Sequence, residues 1–242
     1  MIVSAPAEHR TLEAFVKLSQ PLPRETAKNY ALRVLKENIV ELELPPGSQI
    51  SENELSAALS VSRTPIREAL SELEKVKLVE IVPQKKTSIT LIDYDLVEEA
   101  SFLRSTLETA VIGEVCEKCT DQDLMRFEQN LAMQHIAFRS GALEEMMRQD
   151  NEFHRFFFEI TRKVEIWQLM QNLQVHFDRV RNLSLNTIPD EAIITEHEAI
   201  FDSIKRRDAV QARAQLGAHL VRYRFDADII QSTYPDYFKE CK

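Results

Sequence analysis

The chain has 242 residues, of which 44% are hydrophobic and 29% charged, with only four glycines and nine prolines. This composition is typical of a helix-rich globular protein that can bury a sizeable core, and it excludes disordered and fibrous proteins. No apolar run approaches the roughly 20 residues that span a bilayer, and the N-terminus lacks the apolar segment of a signal peptide. We therefore expect a cytoplasmic protein with no membrane partner. The formal net charge of −9 lies outside residues 24–92, which carry ten Lys+Arg and ten Asp+Glu, so a nucleic-acid-binding module within that segment is not excluded.

The segment 24–92 is predicted to contain three helices followed by a β-hairpin. Apolar residues recur at helical spacing from about Lys28 until the stretch LPPG stops the pattern. Ser51 is positioned to cap a short second helix, and a third helix follows. Two β-type runs around Gln84 to Lys86 predict the hairpin. Residues 1–23, which end in a proline-containing linker, are assigned as an N-terminal extension without a role.

The third helix carries two arginines on one face. If it begins near Ser62 or Thr64, its apolar residues at i, i+4 and i+7 face the core, and Arg63 and Arg67 share the opposite face. A helix in the major groove offers its N-terminal side chains to base edges, and an arginine fork fits phosphate or the O6/N7 edge of guanine. Ser62 and Thr64 can add phosphate contacts beside the helix N-terminus. The alternative is a surface helix with intramolecular ion pairs, for example between Arg67 and Glu68 or Glu72.

The order of helices, tight turn and hairpin is that of a winged helix-turn-helix, with Lys85 and Lys86 at the hairpin tip. The stretch LPPGSQISENELSAALSVSRTPIREALSELEKVKLVEIVPQKKTSIT resembles the DNA-binding module of the GntR family of bacterial transcriptional regulators, over roughly Thr26 to Leu91. The resemblance implies a homodimer that binds a double-stranded palindromic operator. The contact positions that it implies are Ser62, Arg63, Thr64, Arg67 and the hairpin tip. The chain departs from the family where glycines are usual, at Lys85-Lys86 and at Val76-Lys77-Leu78.

Beyond Ile92 the whole pattern is helical. Six segments are predicted, at about 93–118, 121–139, 142–161, 164–184, 190–206 and 208–230, with capping or stop residues between them. Short connections imply antiparallel neighbours, so residues 93–242 are predicted to form an all-α antiparallel helical bundle. The fold class is therefore mostly α, with an N-terminal winged helix-turn-helix and a C-terminal bundle. Cys116 and Cys119 form a CxxC inside a helical pattern and are interpreted as packing residues.

One aspartate and three histidines in the bundle have the spacing of metal ligands. Asp150 and His154 are four residues apart, so they project from one helix face. His197 lies about ten residues before the break at Arg207-Asp208 and His219 about eleven after it, which places both at similar height on adjacent helices. Three imidazoles and a carboxylate suit zinc, nickel or another borderline divalent metal ion. Spacing alone leaves open the alternative of ordinary core or surface histidines.

The region from about Asp95 to Ile230 looks like the FCD-type effector domain of the FadR subgroup of GntR regulators. Metal-binding members carry DxxFH, EHxxI and a histidine on the final helix, and this chain has DNEFH, EHEAI and His219. The stretch FLRSTLE resembles the RxxLE of the first helix of that domain, which implies that Arg104 faces the effector pocket. A metal ion and a guanidinium together suit a carboxylate ligand. The alternative for Arg104 is an exposed ion pair with Glu108, one helical turn further on.

These observations predict a transcriptional regulator, a repressor and not an enzyme, whose operator binding is modulated by a small organic acid at a metal site. Two alternatives remain. One is a metal-dependent hydrolase fused to a winged-helix module, because three histidines with an open coordination position can activate water. Against it, the candidate general bases are limited to Glu196 and Glu198, which flank His197. The other is a purely structural metal in a bundle that only dimerises.

Overall fold

The computed structural model describes residues 16–83, 85–188, 190–222 and 227–240. These residues divide into two compact units: the first ends at Ile92 and also includes residues from Asp236 onward, and the second is Asp93–Pro235. The described part of the chain is mostly helical, with ten α-helices and one small sheet, which confirms the predicted mostly α fold. None of its helices is both long and apolar enough to cross a membrane.

The first unit is a winged helix-turn-helix. Its elements are α1 (Ala27–Val40), β1 (Gln49–Ile50), α2 (Glu52–Leu59), α3 (Arg63–Lys75), β2 (Val79–Val82) and β3 (Lys86–Ile89). Strand β3 lies between β1 and β2 and is antiparallel to both. The three helices and the hairpin agree with the sequence analysis, whereas β1 was not predicted. Two residues are too few to give an alternating pattern, and β1 depends on its pairing of Gln49 with Ser88 and Ile50 with Thr87.

Capping residues and left-handed turns set the boundaries of these helices. The Thr26 hydroxyl accepts a hydrogen bond from the Asn29 N–H at the start of α1, and Ser51 caps α2 as predicted, by accepting from the Asn53 N–H. Ser60 adopts a left-handed conformation, with φ of 56°, and ends α2. Helix α3 then begins with Ser62 as its N-cap residue.

Helix α3 has one buried and one exposed face, as its sequence predicts. Ile66, Leu70 and Leu73 are at most 1% exposed, and the helix packs against α1 and α2. Burying these side chains holds α3 to its unit. The opposite face, with Arg63 and Arg67, is exposed to solvent.

The second unit is entirely helical. It contains α4 (Tyr94–Lys118), α5 (Asp121–Ser140), α6 (Leu143–Ile160), α7 (Val164–Thr187), α8 (Ala192–Lys205), α9 (Ala209–Leu220) and α10 (Ala227–Thr233). Helix α4 packs against α7 and α9, α5 against α6, and α8 against α9. The core is rich in phenylalanine, and the Phe127 ring meets the Phe153 and Phe156 rings edge-on at centroid distances of 5.3 and 5.2 Å.

Five of the six predicted bundle helices agree with the structure, and the last does not. The predicted helix 208–230 is interrupted, because α9 ends at Leu220 and a separate helix begins at Ala227. The Val221 N–H bonds to the nearby His219 carbonyl instead of continuing the helical pattern. Residues 223–226, in the middle of the predicted helix, lie outside the described part of the chain.

Candidate functional site

The structure brings together the four residues predicted to be metal ligands. Asp150 and His154 come from α6, His197 from α8 and His219 from α9, and one ligand atom from each lies within 4.8 Å of the others. The His219 Nε2 atom is 3.1 Å from the Nε2 atom of His197 and 3.3 Å from that of His154. The Asp150 carboxylate oxygens lie 3.7 Å from His197 Nε2 and 3.9 Å from His154 Nε2. His219 is half-buried and the other three residues are buried.

Each of the three imidazoles has an oxygen acceptor at its other ring nitrogen. The Nδ1 to oxygen distances are 2.6 Å for His154 with Glu108, 2.8 Å for His197 with Gln134 and 2.9 Å for His219 with Glu196. These oxygens accept hydrogen bonds, so the ring proton stays on Nδ1 and each Nε2 keeps its lone pair. Lone pairs facing one another at 3.1 to 3.3 Å repel, and a cation between them removes that repulsion. The donor set therefore fits a divalent metal ion.

The environment keeps Asp150, His154 and His197 in the protonation states that bind metals. Burial and the Arg104 charge lower the pKa of His154 to about 4. Burial and the neighbouring His219 likewise hold the pKa of His197 well below its usual value. Burial would raise the pKa of Asp150, but the neighbouring positive groups, Arg181 foremost and then His154, His197 and Arg104, together outweigh it and keep that pKa well below its usual range. At neutral pH His154 and His197 are thus neutral imidazoles and Asp150 is a carboxylate, which are the forms that coordinate metals.

Aromatic stacking restrains the orientation of the rings. The Phe153 ring, next to His154 in the chain, stacks on His197 at a centroid distance of 4.4 Å and an interplanar angle of 20°. The rings of His154 and His219 are stacked at 5.3 Å and 16°. Because Phe153 is itself fully buried among other aromatic rings, the His197 ring cannot turn without disturbing the core.

A cavity of about 70 Å³ opens beside this cluster, and its charged or titratable lining residues are Asp150, Asp190, His219 and three arginines. The arginines are Arg104, Arg181 and Arg222. A space of this size holds a few water molecules or one small organic acid. Three guanidinium groups around one small cavity favour an anionic ligand.

Arg104 lines this cavity, and it also forms an ion pair with Glu108, the partner that its alternative named. Its Nε donates to Glu108 Oε1 at 2.7 Å, but the two side chains are only 4% and 0% exposed, so the pair is buried and not on the surface. Glu108 thus contacts both Arg104 and His154. The buried Glu108 carboxylate therefore connects Arg104 to His154. His154 belongs to the metal-type cluster, which comprises Asp150, His154, His197 and His219.

Sequence reasoning missed the other polar residues around the cluster. Arg181 contacts Asp150 and donates to Asp178 at 2.9 Å, and Arg222 donates to Glu196 at 2.6 Å. Arg181 lies 31 residues from Asp150 and Arg222 lies 26 from Glu196, and neither arginine belongs to a motif, so the sequence carried no signal for these contacts. Glu196 was noted only as a neighbour of His197, and Gln134 not at all.

The residues predicted to bind DNA lie on the surface of the first unit. The exposed set comprises Ser62, Arg63, Thr64, Arg67, Lys85 and Lys86. Arg67 donates from Nε to Glu52 Oε2 of α2 at 2.7 Å, an intramolecular pair of the kind that the surface-helix alternative expected, although the partner is neither Glu68 nor Glu72. The β2–β3 turn closes through a hydrogen bond from the Lys85 N–H to the Val82 carbonyl at 3.0 Å.

The glycine-free turn after α3 keeps the backbone that a glycine would favour. Lys77, at one of the positions where the GntR pattern usually has glycine, has a φ of 58°. This left-handed conformation costs a residue with a Cβ roughly 1 kcal/mol. Its carbonyl accepts a hydrogen bond from the Thr90 hydroxyl at 2.7 Å, which ties the turn to the end of the hairpin.

A winged helix-turn-helix with an arginine-bearing α3, followed by a helical domain with a polar cavity, defines a class of DNA-binding transcriptional regulators. Comparison with known families agrees with this class. Residues 30–89 match the gntR family of bacterial regulatory proteins, and residues 99–222 match the FCD domain. The chain belongs to the GntR family of transcriptional regulators with an FCD domain, a domain that commonly binds metal.

Individual relatives are also regulators. The chain is 30% identical over 219 residues to the HTH-type transcriptional repressor RspR of Escherichia coli, covering 90% of this chain and 96% of RspR. Among solved structures it resembles E. coli McbR/YncC with a TM-score of 0.74 at 20% identity, over 87% of this chain and 99% of that one. A GntR regulator from Rhodococcus gives a TM-score of 0.64 at 21% identity, over 86% and 98%. The matched families and relatives are regulators, not enzymes, so the predicted class is confirmed and the hydrolase alternative is wrong.

Proposed function

We propose that this regulator is a homodimeric repressor whose binding to a palindromic operator is modulated by a small organic acid at a divalent metal ion, zinc or nickel. The 30% identity to a protein named a repressor supports the direction of regulation. The convergence of three imidazole Nε2 atoms and one carboxylate is the observation that supports a metal-dependent effector site. We assign operator binding to residues 24–92 and effector binding and dimerisation to residues 93–242.

The metal would be held by Asp150, His154, His197 and His219. When bound, it supplies a positive charge to which a carboxylate oxygen of the effector coordinates. Metal analysis of the purified protein tests this assignment: we expect about one equivalent of zinc or nickel, lost in His197→Ala. His135→Ala is the matched control, because His135 is a half-buried histidine that bonds to Glu198 at 2.9 Å and is not one of the four grouped residues. Equal metal content in the two variants would refute the site.

The effector would bind between the metal and Arg104. The Nε of Arg104 is engaged by Glu108, whereas its terminal amino groups, one of which lies 3.9 Å from Asp150 Oδ2, would be available to a carboxylate. The small cavity volume restricts the ligand to a short organic acid. A thermal-shift screen of organic acids, with and without a chelator, tests this step. Stabilisation by an acid only in the metal-loaded protein is expected. An acid that binds equally well after chelation would favour a purely structural metal.

Operator binding would use the exposed end of α3 and the hairpin tip. Arg63 and Arg67 are suited to base edges and phosphates, whereas Ser62 and Thr64 lie at the helix N-terminus, where phosphate is favoured. Lys85 and Lys86 would add wing contacts. Footprinting on the chain's own upstream DNA should give a protected palindrome, and Arg67→Ala should lose it while metal content and helical circular dichroism stay unchanged. No sequence preference in the wild-type footprint would refute operator recognition.

Modulation requires the effector to distinguish two arrangements of the DNA-binding modules. A ligand shifts such an equilibrium only by the difference in its affinities for the two states. Operator affinity should therefore change when the stabilising acid is added to the metal-loaded protein. It should also fall steeply with salt, because phosphate contacts release counterions. An acid that binds but leaves operator affinity unchanged would contradict the regulatory part of the proposal.

A further inference from the structure

The two arginines on the exposed face of α3 differ in their surroundings. Arg67 donates from Nε to Glu52 Oε2 at 2.7 Å, across from α3 to the first turn of α2. Arg63, four residues earlier, has no ion pair among the described residues. A carboxylate beside a group that must approach DNA phosphates is unfavourable for non-specific binding, because it adds negative charge at the surface. Affinity for DNA therefore does not explain why Glu52 contacts Arg67.

Folding stability does not account for the contact between Glu52 and Arg67. The Arg67 and Glu52 side chains are 66% and 32% exposed, and an exposed ion pair contributes little to folding because water and salt screen it. A favourable charge at the start of α2 is also no sufficient reason, because Glu54 lies in the same first turn. Of these two glutamates, Glu52 is the one that pairs with Arg67 in the described part of the chain.

The geometry of the contact restricts what Arg67 can do. A guanidinium has five N–H donors in a fixed plane, one on Nε and two on each terminal nitrogen. Because Glu52 takes the Nε donor, both terminal nitrogens remain available, and they can form the two parallel hydrogen bonds that recognise guanine O6 and N7. The contact also restrains a side chain that would otherwise lose much rotamer freedom on binding.

We propose that Glu52 is a positioning residue for operator recognition, which holds Arg67 so that its two terminal nitrogens face a guanine. This inference rests on the proposed role of Arg67 as a DNA contact. Glu52 should therefore raise specificity while it lowers non-specific affinity. The quantity that it controls is the ratio of affinities for operator and unrelated DNA.

The test uses the full-length protein, a duplex selected by that protein from a random library, and a scrambled duplex of equal length and base composition. For Glu52→Ala we expect roughly a three- to tenfold weaker affinity for the selected duplex, from the loss of preorganisation. Affinity for the scrambled duplex should be unchanged or higher, because one negative charge is removed. Glu54→Ala is the matched control, since it removes a charge from the same helical turn, and its specificity ratio should equal that of the wild type.

Two further variants separate positioning from a general effect on the fold. Glu52→Gln keeps an oxygen that can accept from the Arg67 Nε–H, so it should retain most of the ratio. Arg67→Lys removes the planar fork and should lower selected-duplex affinity, and adding Glu52→Ala to it should change the ratio no further.

The inference is overturned if Glu52→Ala leaves the ratio unchanged, if Glu52→Gln loses as much as Glu52→Ala, or if the loss persists in the Arg67→Lys background. If Arg67→Lys alone has no effect on the selected duplex, the proposed DNA contact fails together with its positioning. A lower ratio in Arg67→Lys with a normal ratio in Glu52→Ala would reject only the role of Glu52. Equal thermal midpoints of the Glu52 and Glu54 variants exclude unfolding as the cause.

Discussion

Replacing Glu108 by glutamine tests whether the buried acceptors of the metal-type cluster orient its ligands. The two Glu108 oxygens accept from two donors, His154 Nδ1 at 2.6 Å and Arg104 Nε at 2.7 Å. Glutamine has the same shape but only one oxygen, so its NH2 group must face one of these donors. If it faces His154, the ring proton moves to Nε2 and blocks the lone pair that would bind metal.

The expected magnitude follows from this geometry. Loss of an outer-sphere partner of a metal-binding histidine typically costs about 10- to 100-fold in metal affinity. Glu108 is completely buried, and the His154 and Arg104 charges hold its pKa at about 2 against the effect of burial, so the variant also removes a full negative charge beside a buried guanidinium. One unsatisfied buried donor adds roughly 1–3 kcal/mol of destabilisation. We expect the apo protein to unfold at a lower temperature as well.

The assay is competition for zinc between the protein and a chelating dye at neutral pH, with circular dichroism to verify folding. Glu114→Gln is the matched control, because Glu114 lies on the same helix but pairs with Lys118 and Lys163, each at 2.8 Å. The control should bind zinc like the wild type. Equal zinc affinity in Glu108→Gln and Glu114→Gln would refute the argument that Nδ1 acceptors prepare the cluster for metal.

Three further predictions concern stability. Because burial lowers the pKa of His154 from 6.5 to about 4, this side chain binds a proton in the unfolded apo protein but not in the folded one between these values. Its contribution to stability should therefore be lost as pH drops from 6.5 towards 4; His154→Gln should weaken the pH dependence over this range in calorimetry, and an unchanged slope would contradict it. Lys77→Gly should stabilise the protein by about 0.5–1 kcal/mol because φ at this position is 58°. Lys75→Gly, at the last residue of α3, should instead destabilise it by up to about 1 kcal/mol; the same sign for both in denaturant titrations would show that left-handed strain is absent. Arg207 donates at 2.7 and 2.6 Å to two main-chain carbonyls at the end of α4. Arg207→Met should therefore lower the free energy of unfolding by roughly 1.5–3 kcal/mol, and the control Arg206→Met should lower it much less. Equal thermal midpoints of the two variants would disprove the capping role.

Local chemistry accounts for the parts of the fold that were predictable. The helices α1 to α3 and the hairpin follow from apolar periodicity, capping residues and turn signals, which act within a few residues. The error at the end of the bundle has the same origin: the pattern 208–230 is helical throughout, but the Val221 N–H bonds to the His219 carbonyl. Nothing in the apolar spacing marks that change.

The candidate site also has a part that the sequence predicts and a part that it does not. Asp150 and His154 share a helix face because they are four residues apart, and the EHEAI and final-helix motifs indicate His197 and His219. Glu108, in contrast, was considered only as a surface partner of Arg104, and the structure buries both side chains. The i+4 spacing predicts that the pair forms, but whether it is exposed depends on which helices cover it.

The sequence by itself determined the class of this protein: a helix with an arginine face beside a hairpin, and a helical domain with four metal-type ligands. Only the tertiary structure decided how those groups are supported, by Glu108, Gln134 and Glu196 behind the imidazoles, by Arg181 beside Asp150 and by Glu52 beside Arg67. The physical reason is the separation along the chain between the groups that interact. Helix periodicity and capping act over a few residues, whereas hydrogen bonds and desolvation depend on side chains brought together from distant parts of the chain.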